Sequence, residues 1–182
     1  MTALTPANQL TLLRMLLIPA FVILVVYGEL GWALLVFVTA GATDALDGVI
    51  ARRSGEKTRL GAWLDPMADK LLLVTMFVML TLPGIGSANR LPIWFTILVL
   101  SRDIAIVLTV AVVNLAVGPR TFRPSIFGKI ATATYIVTGV ITLYFNYLDV
   151  RSPVITAFVY ASLAITFISA FHYLIKVVHL GH

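Results

Sequence analysis

Two pairs of carboxylates stand where apolar helices ought to continue. Asp44 and Asp47 lie three residues apart in TDALDGVIAR (43–52), and Asp65 and Asp69 lie four apart in LDPMADK (64–70). On a helix, spacings of three and four put residues on one face. A carboxylate in hydrocarbon costs roughly 2.5–3.5 kcal/mol, so four facing lipid would cost on the order of 10 kcal/mol. They must therefore be compensated or face a wet cavity. Four convergent carboxylates without cations would repel one another. Oxygen-only donors suit hard divalent cations, Mg²⁺ or Mn²⁺. Four of them suffice for two ions, the arrangement used for phosphoryl displacement.

The chain around them is oily: 182 residues, 60% hydrophobic and 12% charged, with a mean hydropathy of +1.01. Such long, recurrent apolar runs read as transmembrane helices of a polytopic protein, not as a soluble domain behind a signal peptide. The sequence has no cysteine, which excludes disulfides and thiolate metal sites. The net charge of +5 is read as attraction to lipid surfaces and as an orientation signal, with no nucleic-acid partner. No fixed-period repeat is present.

Six apolar segments can be drawn, at about 8–27, 31–53, 60–82, 91–117, 125–148 and 153–179, most of them near the roughly 20 residues needed to span hydrocarbon. The expected fold is all-α: six transmembrane helices in a single membrane-embedded domain over residues 1–182. Asn8, Thr11 and Arg14 recur every three residues, which favours an N-terminal amphipathic start at the membrane interface. Pro19 either kinks the first helix or separates that start from the span.

With six crossings, both termini share a side with the loops near 53–59 and 118–124. That side carries Arg52, Arg53, Lys57, Arg59, Arg120 and Arg123, with Arg14, Lys129 and Lys176 close by, whereas the other has Arg90 and Arg151. The positive-inside rule makes the basic side cytoplasmic. The second and third segments form a hairpin across the first basic loop. Asp44 lies nine residues before Arg53 and Asp69 nine after Leu60, so both sit about 13–14 Å from the loop at 1.5 Å per residue, and Asp47 and Asp65 about 8–9 Å from it. The hairpin thus pairs carboxylates at two levels. Gly48 and Ala51 share the face of Asp44 and Asp47, and Gly61 lies one turn before Asp65. Small residues there admit a bulky ligand or, equally, a close-packed helix. Arg52 continues the acidic face, and Arg53 fits plain anchoring.

The string Asp44-x₂-Asp47-Gly48-x₂-Ala51-Arg52-x₈-Gly61-x₃-Asp65-x₃-Asp69 resembles, without departure, the signature of the CDP-alcohol phosphotransferases. The likeness covers most of the chain, since that family has six transmembrane helices and an N-terminal juxtamembrane helix. It implies transfer of a phosphatidyl group from CDP-diacylglycerol to an alcohol with release of CMP. It implies that Asp44, Asp47, Asp65 and Asp69 hold two divalent metals, Mg²⁺ or Mn²⁺, and that Asp69 is also the base for the acceptor hydroxyl. Gly48, Ala51, Arg52 and Gly61 would line the CDP-lipid site, which faces the cytoplasm. A homodimer is implied by the resemblance alone.

The acceptor narrows to glycerol-based alcohols, because Pro6-x-Asn8-x₂-Thr11-x₂-Arg14 and LDPMADK resemble the members that make glycerol-based anionic lipids. Within helix 4, Arg102-Asp103 is a charged pair in an apolar segment. Adjacent helical residues do not face each other, so a local salt bridge is not expected. Arg102 is expected to point into the polar cavity, or to pair with a carboxylate of another helix. The stretch from Ile104 to Ala111 carries no further cation, which disfavours the near-dianion glycerol-3-phosphate. Phosphatidylglycerol, as in CMP-forming cardiolipin synthases, is the slightly favoured acceptor, and glycerol-3-phosphate, as in phosphatidylglycerophosphate synthases, the alternative. Arg102, Arg123 and Lys129 are the candidate acceptor-binding cations, although Lys129 also suits interfacial snorkelling.

His172, His179 and His182 are assigned no role, and Trp32, Trp63 and Trp94 fit an aromatic belt. A divalent-cation transporter would spread acidic residues along a crossing path or show two related halves. A passive scaffold would not keep four costly carboxylates.

Overall fold

The computed structural model describes the backbone of residues 6–54, 59–84, 87–117 and 126–180, and within it the side chains of 11–43, 67–84, 87–109, 112, 115 and 126–171. Among these residues there are six helices and no strand: α1 (Pro6–Val26), α2 (Leu30–Ser54), α3 (Arg59–Thr81), α4 (Ile93–Val117), α5 (Ile126–Tyr147) and α6 (Pro153–Leu180). Each falls within two residues of an apolar segment drawn from the sequence. Ile126–Tyr147 and Pro153–Phe171 are both long and apolar enough to cross a membrane among the described residues, whereas Thr11–Val26 and Leu30–Thr43 are apolar over shorter lengths.

Large apolar side chains are widely exposed, among them Leu16, Leu35, Ile97, Leu115, Phe167 and Phe171, and the mostly apolar buried set also takes in Thr11, Arg14, Thr138, Asn146, Ser162 and Thr166. Apolar exposure on this scale marks a surface that meets something other than water. Lone hydroxyls within the apolar helices return to their own backbone: Thr39, Thr81, Thr109 and Thr134 each donate to the carbonyl four residues back.

The described chain divides into two compact units. The first comprises residues 1–90 and 142–151 and the second residues 91–141 and 152–182, so the last turns of α5 belong to the first unit.

In the first unit, α1 packs against both α2 and α3, which also touch each other. Thr11, Arg14, Phe21 and Val25 form the buried stripe of α1, and Ala33, Phe37 and Ala40 that of α2. The Phe21 and Phe37 rings meet at 5.9 Å between centroids. Helix α1 runs unbroken through Pro19. Thr11 and Arg14 of its polar face are buried in the protein, because Arg14 has a carboxylate to meet on α3. Asn8 lies outside the described side chains.

The helix ends explain the turns. The Gly28 N–H donates to the Val25 carbonyl at 3.1 Å and the Glu29 N–H to that of Leu24 at 2.8 Å, with Gly28 at φ +77°. This paired closure uses the left-handed conformation that glycine adopts without strain. The same closure ends α5, where the N–H groups of Asp149 and Val150 reach the carbonyls of Asn146 and Phe145; here Asp149 itself takes φ 53°. Ser152 Oγ accepts from the Val154 N–H at the start of α6, and Pro153 fills a first-turn position whose N–H is not needed.

A pair of asparagines ties the α3–α4 connection to the end of α5. Asn146 Oδ1 accepts from the Asn89 backbone N–H (2.8 Å) and from its Nδ2 (3.0 Å), and Asn146 Nδ2 donates to the Asn89 carbonyl (3.0 Å). Asn89 Nδ2 also donates to the Val150 carbonyl at 2.7 Å. Asn146 is buried, so truncation strands several partners at once. Asn146→Ala is expected to destabilise by about 2–3 kcal/mol, read as a lowered unfolding midpoint in detergent. An unchanged midpoint would show the clasp to be energetically idle.

In the second unit, α5 and α6 meet through hydroxyl pairs: Tyr135 with Thr166, and Thr138 with Ser162 at 3.0 Å. Buried hydroxyls that meet across apolar helices add about 0.6–2 kcal/mol each. Phe95 of α4 stands edge-on to Tyr135. Trp94, half-exposed, lies against Tyr160.

Candidate functional site

Helical periodicity orders the acidic segment. The buried stripe of α2 runs Ala33, Phe37, Ala40, at steps of four and three. Carried on along the sequence, the same steps fall on positions 44, 47 and 51. On α3 the buried stripe includes Ala68, Leu72 and Met76, and Asp69 directly follows Ala68. The backbone of α2 holds Asp44, Asp47, Gly48, Ala51 and Arg52 in one helix, and that of α3 holds Gly61, Asp65 and Asp69 in another. All of these except Asp69 have side chains outside the described residues, so the expected convergence of four carboxylates falls outside them too. Among the described residues no three His, Cys, Asp or Glu side chains gather.

Asp69 is described, and its surroundings are informative. Arg14 Nη1 of α1 donates to Asp69 Oδ1 at 2.5 Å. The arginine side chain is 1% exposed and that of the aspartate 41%. Charge-assisted contacts of this kind are among the stronger hydrogen bonds. The carboxylate thus stands at the boundary between the packed helices and an open side, on a helix that also carries Asp65 one turn earlier. The donor chemistry fits hard divalent cations: four carboxylates on two touching helices, with no competing nitrogen or sulfur ligand in the motif. The sequence pattern marked Asp69 but missed its link to Arg14. The only available signal was the polar spacing on α1, which was read as an interfacial face.

The second unit carries the candidate acceptor residues. Arg102 Nη1 donates to Asp103 Oδ1 at 3.1 Å and Nη2 to the Gly128 carbonyl of α5 at 3.2 Å. Its guanidinium stands 5.6 Å from the centre of the Tyr135 ring. This corrects the expectation that neighbours on a helix would not pair. An arginine is long enough to curl back on the adjacent carboxylate. Gly128 has no side chain to keep the guanidinium from its carbonyl, and the ring face of Tyr135 attracts the cation. Lys129 is exposed in the first turn of α5. Arg123 lies outside the described residues.

Comparison with known proteins agrees with this architecture. The family model described as CDP-alcohol phosphatidyltransferase matches residues 4–170. The chain is 36% identical over 135 residues to a protein described as a probable phosphatidylglycerophosphate synthase of Mycobacterium tuberculosis, covering 69% of this chain and 59% of that protein. It is 31% identical over 189 residues to the cardiolipin synthase (CMP-forming) of Homo sapiens, covering 93% of this chain and 61% of that one. To the cardiolipin synthase (CMP-forming) of Streptomyces coelicolor it is 35% identical over 117 residues, or 61% and 52% of the two chains. The chain spans about half to three-fifths of the length of the curated relatives it matches. With a family model aligned from the start of α1 into α6, over a motif that places its carboxylates on two touching helices, the chain belongs to the CDP-alcohol phosphatidyltransferase family.

Proposed function

We propose that the protein transfers a phosphatidyl group from CDP-diacylglycerol to a glycerol-based alcohol and releases CMP. The observation that carries this reading is the family match across α1–α6, joined to the placement of the motif's carboxylates on α2 and α3. Asp44, Asp47, Asp65 and Asp69 would hold two divalent cations, Mg²⁺ or Mn²⁺. When bound, these supply charge neutralisation for a diphosphate and its leaving CMP. The remaining work belongs to the chain itself. Asp69 takes the proton from the acceptor hydroxyl, which is a weak nucleophile until then. Arg52 adds a positive charge for the cytidine diphosphate, and Gly48, Ala51 and Gly61 keep side-chain bulk away from it. The wide exposure of large apolar side chains among the described residues supports membrane embedding, here read as six crossings with the first turns of α1 at the interface, and the Lys/Arg bias of the loops supports a site on the cytoplasmic side. Residues 1–182 act as one catalytic domain, which pairs as a homodimer.

Phosphatidylglycerol is the favoured acceptor. Arg102 is already engaged by Asp103 and the Gly128 carbonyl, so this charged pair is close to neutral and suits a phosphodiester better than a near-dianion. Arg123 and Lys129 are further cations for the acceptor phosphate. Glycerol-3-phosphate is the second reading, favoured by the resemblance to the mycobacterial protein. Purified protein with CDP-diacylglycerol and Mg²⁺ should release CMP at least about tenfold faster with phosphatidylglycerol than with glycerol-3-phosphate at equal concentration. The reverse order selects the second reading. Release with neither, or divalent-ion flux in its place, overturns the enzyme assignment.

A further inference from the structure

The structure joins two side chains 55 positions apart in sequence, and it does so at the carboxylate read above as both ligand and base. Arg14 is almost wholly buried, whereas Asp69 reaches the surface. A cation is kept that deep only when a partner compensates it. We propose that Arg14 is a built-in counter-cation of Asp69, sharing this carboxylate with the divalent ion that Asp69 binds and thereby lowering the affinity for that ion. The inference rests on the reading of Asp69 as a metal ligand.

The sign of the effect follows from charge. A guanidinium does not lose its proton in proteins, so the charge at Asp69 Oδ1 is permanent. Two cations that share one carboxylate repel each other, and the repulsion is stronger where protein displaces water. Arg14 also steadies the Asp69 side chain, which favours ion binding. That gain is small, because an aspartate has few rotamers to lose. Repulsion therefore outweighs positioning, and removing the charge should tighten ion binding. An arginine that merely packs α1 onto α3 predicts the opposite, since loosening the support of a ligand weakens a site. The arrangement also suits a carboxylate with two duties, because an ion held too tightly would compete with the proton that Asp69 must accept.

The test uses the full chain in detergent and Mn²⁺ alone as the probe, with bound ion measured by calorimetry or by the free-Mn²⁺ resonance signal. Arg14→Gln and Arg14→Met should each lower the dissociation constant by about tenfold, and Arg14→Lys, which keeps the charge, should stay within about twofold of wild type. In an Asp69→Asn background, Arg14→Gln should change the affinity by less than about twofold. Asp69 is partly exposed, so it remains hydrated after the arginine is removed and the neutral variants are expected to fold. If they do not, the wild-type protein decides: the ¹⁵N guanidinium signal of Arg14 should shift when Mg²⁺ is added, and a stationary signal overturns the proposal. Unchanged or weakened Mn²⁺ binding in the neutral variants likewise overturns it. A wild-type protein that binds no Mn²⁺ overturns the ligand reading itself, a different and recognisable failure.

Discussion

Asp69→Asn is expected to cut CMP release by at least about 10³-fold while leaving the protein folded. Removing a positioned general base costs about 10²–10⁴-fold by itself, and this substitution also weakens one ligand of the proposed metal pair. The fold should survive because the amide oxygen of the replacement can still accept a hydrogen bond from Arg14. The lost charge assistance costs about 1–2 kcal/mol, and both Arg14 and Asp69 make further interactions. The measurement pairs an initial-rate assay with helical content and unfolding midpoint in the same detergent. Activity within about tenfold of wild type would remove Asp69 from the role of base. A collapse of helical content would instead make Arg14–Asp69 a structural ion pair first.

Removal of divalent ions should be still more severe. A protein stripped with a chelator and passed into metal-free buffer is expected to show no CMP release above background, and Mg²⁺ or Mn²⁺ should restore it. The reason is the donor set. Four carboxylates gathered as proposed cannot all remain ionised together without cations, and a diphosphate would add further negative charge to the same place. Ca²⁺ offers similar charge with longer, less regular coordination, so it should bind and restore little activity. A rate that persists in chelator would end the two-ion reading. Restoration by monovalent salt would reduce the metal to a screening role.

The helices were legible in the sequence because apolar run length and turn residues set them almost alone. Leu30–Ser54 and Arg59–Thr81 follow segments drawn at 31–53 and 60–82, despite the carboxylates inside them. The motif on those helices was equally legible, since it is a matter of spacing. What was not legible depends on contacts between distant parts of the chain. Nothing local in α1 says that Arg14 will meet a carboxylate on α3; spacing alone gave the helix a polar face and left open what that face would meet. Arg102 failed for a different reason. The rule that adjacent helical residues diverge describes their Cβ directions, whereas a four-bond side chain can double back when a glycine carbonyl and an aromatic ring receive it. The asparagine clasp and the left-handed Asp149 were illegible too. The clasp needs the α3–α4 connection brought to the end of α5, and Asp149 takes a conformation that sequence patterns reserve for glycine or asparagine.

The bond from Arg14 to Asp69 also bears on how the protein is made. A ribosome delivers α1 first, and the partner carboxylate follows 55 residues later. At about 5–20 residues per second that interval lasts roughly 3–11 s. Throughout it, the nascent first helix carries an arginine whose eventual companion does not yet exist. Docking of α1 is therefore incomplete until α3 arrives to meet the charge of Arg14. The N-terminal helix should settle only then, so the carboxylate of Asp69 doubles as a late latch in assembly.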